Sequence, residues 1–248
     1  NMIMNLGVSL DEIKQAETIE KFTDHDTAAA TDYLKIRIGD ELPHLENMME
    51  GIHFANTSED VMGPTFGLIM NRLVYGHFLD GVMDFCESMM QYVEKVEEEE
   101  PLVLPALTHR QAAEPTTFGN VIMTRLDAIN SILETMRDEH GDFRPFSGKL
   151  GGAVGDMKTH YAAYPDIDWH NFSKKFIEDL GLSYEDITDQ CSTYVIDAVN
   201  FSAVRSILTQ AVKLSNDFLE YAASPGQLFK KKKKKGHKGS SIMPNKSN

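Results

Sequence analysis

Three short segments each combine a histidine with hydroxyl or amide side chains near a predicted helix start. They are residues 23–26 (TDHD), 53–60 (HFANTSED) and 107–115 (LTHRQAAEP). Backbone N–H groups at a helix start lack intrahelical partners and carry partial positive charge, so they attract anions. Thr57 and Ser58 add hydroxyls at one such start. Such a helix start can bind a phosphate or a carboxylate, whereas a plain N-cap role for Ser58 and Thr117 is the commoner case.

His109 is the best candidate for proton transfer among the nine histidines. It lies between Thr108 and Gln111, in an extended segment that joins two predicted helices. Histidine titrates near neutral pH, so it suits a general acid that protonates a leaving nitrogen. A lone histidine in such a segment is also compatible with a purely structural role.

The sequence lacks the spacings of familiar metal and nucleotide sites. It has no His-Glu-x-x-His, no Cys-x-x-Cys, no calcium-loop pattern and no Walker or Rossmann glycine fingerprint. Residues 148–155 are glycine-rich but do not join a strand to a helix, so we interpret them as a turn or a close backbone contact. We therefore do not expect a metal site.

Charge is distributed unevenly along the 248 residues. The net charge is −14, but residues 230–248 carry eight lysines and no acid, which leaves −22 on the rest. The acidic body should repel nucleic acid and anionic membranes, and the basic tail should attract anions. The run Lys230 to Lys235 either steers anions or is a solvated face.

The cysteines and the apolar segments predict a cytoplasmic protein. Cys86 and Cys191 are too far apart in sequence for a disulfide framework, which favours a reducing compartment. No stretch is long and apolar enough to span a bilayer, and no leader-like segment begins the chain.

Apolar residues recur at spacings of three and four, which predicts an all-α protein. One stripe follows a helix that begins after Ser58, a second occupies residues 118–136, and a third occupies residues 204–221. Shorter helices are predicted after Ser9, over residues 27–38, and from Trp169 to Leu180 with Asp168 as N-cap. No convincing strand is predicted, although residues 102–104 could be a brief one. The stripes, listed by member, are Tyr75, Leu79, Val82, Cys86, Met89 and Val93; Phe118, Ile122, Leu126, Ile129, Leu133 and Met136; and Val204, Leu208, Ala211, Leu214, Phe218 and Tyr221.

Stripes of this length are typical of near-parallel packed helices. They carry more apolar surface than an isolated four-helix bundle needs, so we expect self-association. A monomeric core is the alternative that composition leaves open.

The last ten residues, GSSIMPNKSN, resemble the signature loop of the fumarase/aspartase superfamily, Gly-Ser-Ser-x-Met-Pro-x-Lys-x-Asn. Within that superfamily the chain resembles the adenylosuccinate lyases. The resemblance rests on the three histidine segments together with residues 152–155 (GAVG) and 162–170 (AAYPDIDWH). It departs from the family pattern at Arg110, where relatives carry glycine, and at Asn120, where they often carry lysine.

The resemblance implies an all-α, long-helix bundle of the L-aspartase-like type, assembled as a homotetramer with shared active sites. It implies that residues 1–57 are the end of an N-terminal helical domain. Residues 58–248 would be an incomplete central bundle domain, with 225–248 as a flexible signature loop. The chain is then expected to be a fragment that lacks part of the N-terminal domain and everything after that loop.

The resemblance also implies the reaction, which is β-elimination of fumarate from adenylosuccinate, giving AMP, and from the succinylaminoimidazole carboxamide ribotide of purine synthesis. Ser240 would be the general base and His109 the general acid. Neither a metal nor a cofactor is required. The residues implied to bind this small anionic nucleotide substrate are His25, Asp26, His53, Thr57, Ser58, Thr108, Gln111, Gln190, Ser241, Lys246 and Asn248.

Two other functions remain open at this point. One is a different lyase of the superfamily, such as an argininosuccinate lyase, a fumarase or an aspartase. The other is a non-catalytic, truncated helical assembly module, which Arg110 favours.

Overall fold

The computed structural model describes residues 7–98, 100–223, 236 and 241–243, and these are mostly helical. Within these described ranges, eight α-helices are joined by a 3₁₀ segment, a π-helical turn and four short strands. Their bounds are α1 Leu10–Thr23, α2 Asp26–Glu41, the 3₁₀ segment Pro43–Gly51, α3 Glu59–Leu73, the π turn Val74–Phe78, α4 Leu79–Glu97, β1 Val103–Thr108, β2 Gln111–Thr117, α5 Phe118–Thr135, β3 Ser147–Gly148, α6 Lys158–Ala163, α7 Trp169–Asp179, β4 Ser183–Tyr184 and α8 Val195–Ala223.

The chain forms two compact units that alternate along the sequence. Unit 1 comprises residues 1–78 and 144–198, and unit 2 comprises residues 79–143 and 199–248. The predicted domain boundary after residue 57 rests on family resemblance and stays a prediction. No helix in the described part of the chain is both long and apolar enough to cross a bilayer.

The predicted helix starts are confirmed where a side chain caps the helix. Ser9 and Glu12 form a reciprocal capping box at the start of α1. Asp168 accepts a hydrogen bond from the Asn171 N–H at 3.0 Å and begins α7. Thr117 does the same for α5, with its Oγ1 3.1 Å from the Asn120 nitrogen. Each cap satisfies one backbone donor that the helix leaves open.

The predicted stripe of α5 is confirmed in full, whereas that of α8 is partly wrong. All six stripe residues from Phe118 to Met136 are at most 8% exposed. On α8, Leu208 is 51% exposed and Ile207 occupies the core instead, together with Leu214 and Tyr221. A long helix with apolar residues on several faces offers two overlapping stripes, and the packing of neighbouring elements selects one of them.

A β-hairpin occupies residues that were expected to be an extended link between helices. Strands β1 and β2 pair antiparallel, with Leu107 opposite Ala112 and Thr108 opposite Gln111. The two residues between Thr108 and Gln111 form the turn. Pro105 and Pro115 face each other in the ladder and obscured the strand pattern, because proline lowers strand propensity.

Unit 1 is held together by α3 packed against β3. Gly67 of α3 lies so close to the Ser147 carbonyl oxygen that a Cβ atom there would be only 2.5 Å away. Beside this contact, Asn71 accepts from the Phe146 N–H at 2.8 Å and donates to the Gly181 carbonyl at 3.0 Å. Two segments more than seventy residues from α3 are thereby fixed to it.

The glycine-rich loop is packed against protein backbone, as its interpretation as a close contact predicted. Gly155 has a φ of +79°, and a Cβ there would lie 2.0 Å from the Thr188 carbonyl oxygen. Gly152 has a φ of +71°, and its Cβ would lie 3.2 Å from the Ala55 carbonyl oxygen. Any side chain at residue 155 would collide with this neighbouring backbone.

Candidate active site

His25 joins the start of α2 to the start of α3 in unit 1. It is the N-cap of α2, and its Nδ1 accepts a hydrogen bond from the Ala28 N–H at 3.3 Å. Its Nε2 lies 3.2 Å from the Ser58 Oγ. A ring nitrogen that accepts carries no proton, so the neutral imidazole bears its proton on Nε2 and donates it to Ser58.

Ser58 is therefore not the plain N-cap that was one of its two interpretations. It has helical backbone angles and makes no side-chain cap bond to α3. Because its oxygen accepts from His25, its own hydroxyl proton remains available to donate. Thr117, in contrast, is the N-cap that the same alternative described.

Thr57 contacts a residue from the far end of unit 1. Its Oγ1 accepts a hydrogen bond from Gln190 Nε2 at 3.3 Å, across 133 positions of sequence. The contact brings together two residues that the family resemblance assigns to substrate binding.

His53 and Asp26 line one cavity of about 330 Å³ in unit 1. The cavity wall is otherwise largely apolar, and comprises Thr27, Ala30, Thr31, Leu34, Ile52, Asn56, Val61 and Met62. Nδ1 of His53 is buried and makes no hydrogen bond within the described residues. His53 also has a φ of +64°, a conformation that non-glycine residues adopt rarely and often at functional sites.

The Asp26 carboxylate is held ionised by its neighbour. Its Oδ1 accepts from the Thr27 N–H at 2.6 Å and from the Thr27 hydroxyl at 3.2 Å. These two bonds, the backbone one first, lower the pKa of Asp26 below its ordinary value. Asp26 therefore acts as an acceptor in this group.

Two buried residues lie beside Thr57 without a role predicted from the sequence: Asp60, which accepts from the Thr57 N–H, and Lys149, its ion-pair partner. Both side chains are almost wholly buried, and Lys149 Nζ lies 3.0 Å from Asp60 Oδ1. Asp60 lies in the segment 53–60 and Lys149 in the glycine-rich segment 148–155. The sequence signal for this pair was Asp60 itself, an acidic residue in the first turn of a largely apolar helix. Because a buried charge requires a partner, such a residue predicts a buried cation nearby.

His160 lies behind the His53 turn. It is 3% exposed, and its ring packs 4.9 Å from the Trp169 ring and 5.9 Å from the Phe54 ring, measured between centroids. Burial lowers the pKa of His160, and the Asp60 charge opposes that shift. His160 is thus a neutral packing residue at neutral pH.

His109 stands at the tip of the β1–β2 hairpin in unit 2. The turn consists of His109 and Arg110, with φ angles of 52° and 61°. Two consecutive positive φ angles in a two-residue hairpin loop indicate a type I′ turn. Thr108 and Gln111 are the pair that closes the turn, and all four residues are exposed. The hairpin thus presents the imidazole to its surroundings.

Arg110 is one of the two departures from the family pattern, and its φ of 61° is one that glycine adopts most easily. Its side chain is 89% exposed, and Nε lies 3.6 Å from a Glu220 carboxylate oxygen on α8. An exposed pair at this distance stabilises little. The adjacent Tyr221 hydroxyl donates to the Pro105 carbonyl at 3.2 Å, which fixes β1 against α8.

Most of the signature loop lies outside the described residues. This holds for Ser240, Lys246 and Asn248, whereas Ser241 is described and exposed. In the described part of the chain, no three His, Cys, Asp or Glu side chains are arranged to hold a metal ion. The expectation that the protein needs none stays a prediction.

A family model described as "Lyase" matches residues 7–248. The chain belongs to this lyase family. The expected resemblance to adenylosuccinate lyases is also confirmed. The lyase family chain is 31% identical to the adenylosuccinate lyase of Escherichia coli K12 over 249 residues, covering 97% of this chain and 50% of that relative. It is 30% identical to the adenylosuccinate lyase of Dictyostelium discoideum over 240 residues, covering 96% and 50%.

The lyase family chain spans about half the length of the curated relatives that it matches. Among solved structures it resembles β-carboxy-cis,cis-muconate cycloisomerase from Acinetobacter calcoaceticus, with a TM-score of 0.60 and 15% identity. That match covers 86% of this chain and 46% of the other. At this identity the likeness shows the fold, and the mostly helical fold expected from the sequence is confirmed.

Proposed function

We propose that this lyase family chain carries out the adenylosuccinate lyase reaction. Fumarate would be released by β-elimination from adenylosuccinate, giving AMP, and from succinylaminoimidazole carboxamide ribotide. The observation that carries the proposal is the pair of contacts Ser58–His25 and Thr57–Gln190 in unit 1. Four residues that the family resemblance assigns to substrate binding meet there from three distant parts of the chain.

The chemistry of this group suits an anionic substrate. Ser58 accepts from His25 and keeps its own proton for donation, and the starts of α2 and α3 add positive dipole ends. His53 and Asp26 line the adjoining cavity of about 330 Å³. We assign substrate binding to these residues, with the phosphate or a carboxylate near Ser58 and Thr57.

The elimination needs one base and one acid. The base removes a proton from the carbon beside the succinyl carboxylate, the electron pair forms the double bond of fumarate, and the C–N bond breaks. The departing nitrogen then takes a proton from the acid. We assign that acid role to His109, because the hairpin presents its ring at an exposed tip, with Thr108 and Gln111 beside it as substrate contacts.

The base is assigned by family resemblance to Ser240, with Ser241 beside it and with Lys246 and Asn248 holding a substrate carboxylate. A serine is a weak base unless cations and backbone N–H groups stabilise its alkoxide. Removing the proton also builds negative charge on the carboxylate, which a fixed cation such as Lys246 stabilises. The net charge of +8 on residues 230–248 is consistent with attraction of this substrate.

We further propose a cytoplasmic homotetramer whose active sites are shared between subunits and need no metal or cofactor. Apolar residues on α8 support self-association, because several are 40–60% exposed. These residues are Val199, Phe201, Leu208, Val212 and Leu219.

An absorbance assay of adenylosuccinate cleavage tests the proposal directly, with protein expressed from the complete reading frame. Cleavage that is abolished by Ser240→Ala supports it, with Ser202→Ala as the matched control at an exposed serine of α8. No cleavage, or undiminished cleavage by Ser240→Ala, contradicts it. A panel with argininosuccinate, malate and aspartate distinguishes other lyases of the superfamily. A tetramer by light scattering without turnover of any substrate would identify an assembly module.

A further inference from the structure

The Asp60 carboxylate is buried at the start of α3, and its two oxygens make four polar contacts. Oδ1 accepts from the Gly151 N–H at 2.8 Å and lies 3.0 Å from Lys149 Nζ. Oδ2 accepts from the Gly152 N–H at 3.0 Å and from the Thr57 N–H at 2.9 Å. A carboxylate has about four acceptor positions, so this one is saturated.

Lys149 is the counterion of this carboxylate. Its side chain is 1% exposed and that of Asp60 is 0% exposed. The ammonium is close to Oδ1 but is not aligned for a hydrogen bond, so the contact is one of charge rather than of direction. Burial of two charges is costly and is offset here by their attraction and by the three backbone donors. The three N–H bonds therefore fix the orientation of the Asp60 carboxylate, and Lys149 neutralises its charge.

These bonds join two segments that are more than ninety positions apart. The Thr57 N–H donates to the Asp60 carboxylate, and the Asp60 N–H donates back to the Thr57 carbonyl at 3.1 Å. The same carboxylate holds the turn at Gly151 and Gly152, whose backbone approaches the Ala55 carbonyl. The Asp60 side chain therefore links the conformation of residues 55–58 to that of the glycine turn.

We propose that Asp60 is a positioning residue that sets where Thr57 and Ser58 meet the substrate. The inference rests on the proposed function for the identity of the substrate, but the linkage itself is a property of the fold. With no exposed surface, the Asp60 side chain acts only through Thr57 and the glycine turn. Loss of its geometry should weaken substrate binding, whereas proton transfer by other residues should continue.

Two matched variants separate this role from simple stabilisation. Lys149→Met removes the cation but leaves the carboxylate with all three backbone donors. The double variant Asp60→Asn with Lys149→Met removes both charges, and its amide nitrogen can no longer accept. The double variant buries no charge, so it should fold. If the uncompensated carboxylate prevents Lys149→Met from folding, the double variant is compared with the unsubstituted protein instead.

In the protein from the complete reading frame, we expect Lys149→Met to keep KM for adenylosuccinate within about twofold. The double variant should raise KM about tenfold or more, with kcat within about twofold, since an oriented polar contact to an anion is lost. Equal KM values for the two variants would overturn the proposal. So would a fall in kcat at unchanged KM.

Amide hydrogen exchange provides a readout that does not depend on activity. In the double variant, peptides that contain Thr57 and peptides that contain Gly151 and Gly152 should exchange faster, while α5 is unchanged. If the protein does not cleave adenylosuccinate, the proposed function fails and exchange alone decides the role of Asp60. Faster exchange in both segments then supports the linkage, and unchanged exchange in either segment refutes it.

Discussion

The Ser58 hydroxyl oxygen lies 3.2 Å from His25 Nε2, while Nδ1 of the same ring caps α2 by accepting from the Ala28 N–H. One imidazole thus serves two helix starts, with one nitrogen as acceptor and the other as donor. This arrangement fits the tautomer of the ring that carries its proton on Nε2. It also gives Ser58 a defined polarity, with its own proton directed elsewhere.

The cap and the serine contact of His25 can be separated by substitution. His25→Asn should keep the unfolding free energy within about 0.5 kcal/mol, since asparagine is a good N-cap, whereas His25→Ala should lower it by about 1 kcal/mol. Urea unfolding measures both. Imidazole ¹⁵N shifts of the unsubstituted protein should show Nδ1 without a proton. Protonated Nδ1 in the neutral ring would contradict the assignment.

Ser58 and Thr117 form a matched pair, because both begin a helix but only Thr117 caps one. Thr117→Ala should lower the unfolding free energy by about 1 kcal/mol, while Ser58→Ala should change it by less than about 0.5 kcal/mol. If the two losses were equal, Ser58 would be acting as a cap. Under the proposed function, Ser58→Ala should raise KM, whereas Thr117→Ala should leave KM unchanged.

Arg110→Gly should stabilise the hairpin. Arg110 has a φ of 61°, which is unfavourable for a residue with a Cβ and ordinary for glycine. We expect the unfolding free energy to rise by up to about 1 kcal/mol, reduced by the greater freedom of glycine in the unfolded chain. Arg110→Ala is the control, since it removes the Glu220 contact but keeps the Cβ. A gain of the same size in Arg110→Ala would attribute the effect to charge instead.

Under the proposed function, His109→Gln should affect turnover rather than binding. Glutamine keeps a polar side chain at the hairpin tip but cannot act as a general acid, so kcat should fall about 10²–10⁴-fold with a modest change in KM. Steady-state kinetics on adenylosuccinate measures this, with His140→Gln, an exposed histidine of the same unit, as control. A loss confined to KM would remove His109 from the acid role.

His160 should make the protein less stable in acid. Burial lowers its pKa below the ordinary 6.5, so below that pH the unfolded chain binds a proton that the folded chain refuses. The contribution of neutral His160 to the unfolding free energy is therefore fully present above pH 6.5, and it is lost as the pH drops toward the lowered pKa. His160→Gln removes this titration. Its unfolding free energy should therefore fall less on acidification than that of the unsubstituted protein. Parallel pH profiles would exclude the effect.

Local features of the fold were determined by the sequence itself. The Ser9 capping box, the Asp168 cap and the apolar stripe of α5 involve residues that are three or four positions apart. Such signals are complete within one or two helical turns, because a helix brings those positions together whatever surrounds it. The signature motif is likewise contiguous, and the family could be inferred from it.

Only the tertiary structure decided which polar groups meet. Ser58 looks like an N-cap in sequence and became the partner of His25. Asp60 pairs with Lys149 and contacts the glycine turn, both about ninety residues away in sequence. On α8, Ile207 is buried rather than Leu208. These outcomes depend on how separate elements pack, which balances burial and hydrogen bonding over the whole unit. No local spacing contains that information, since each pair is adjacent in space only after the chain has folded.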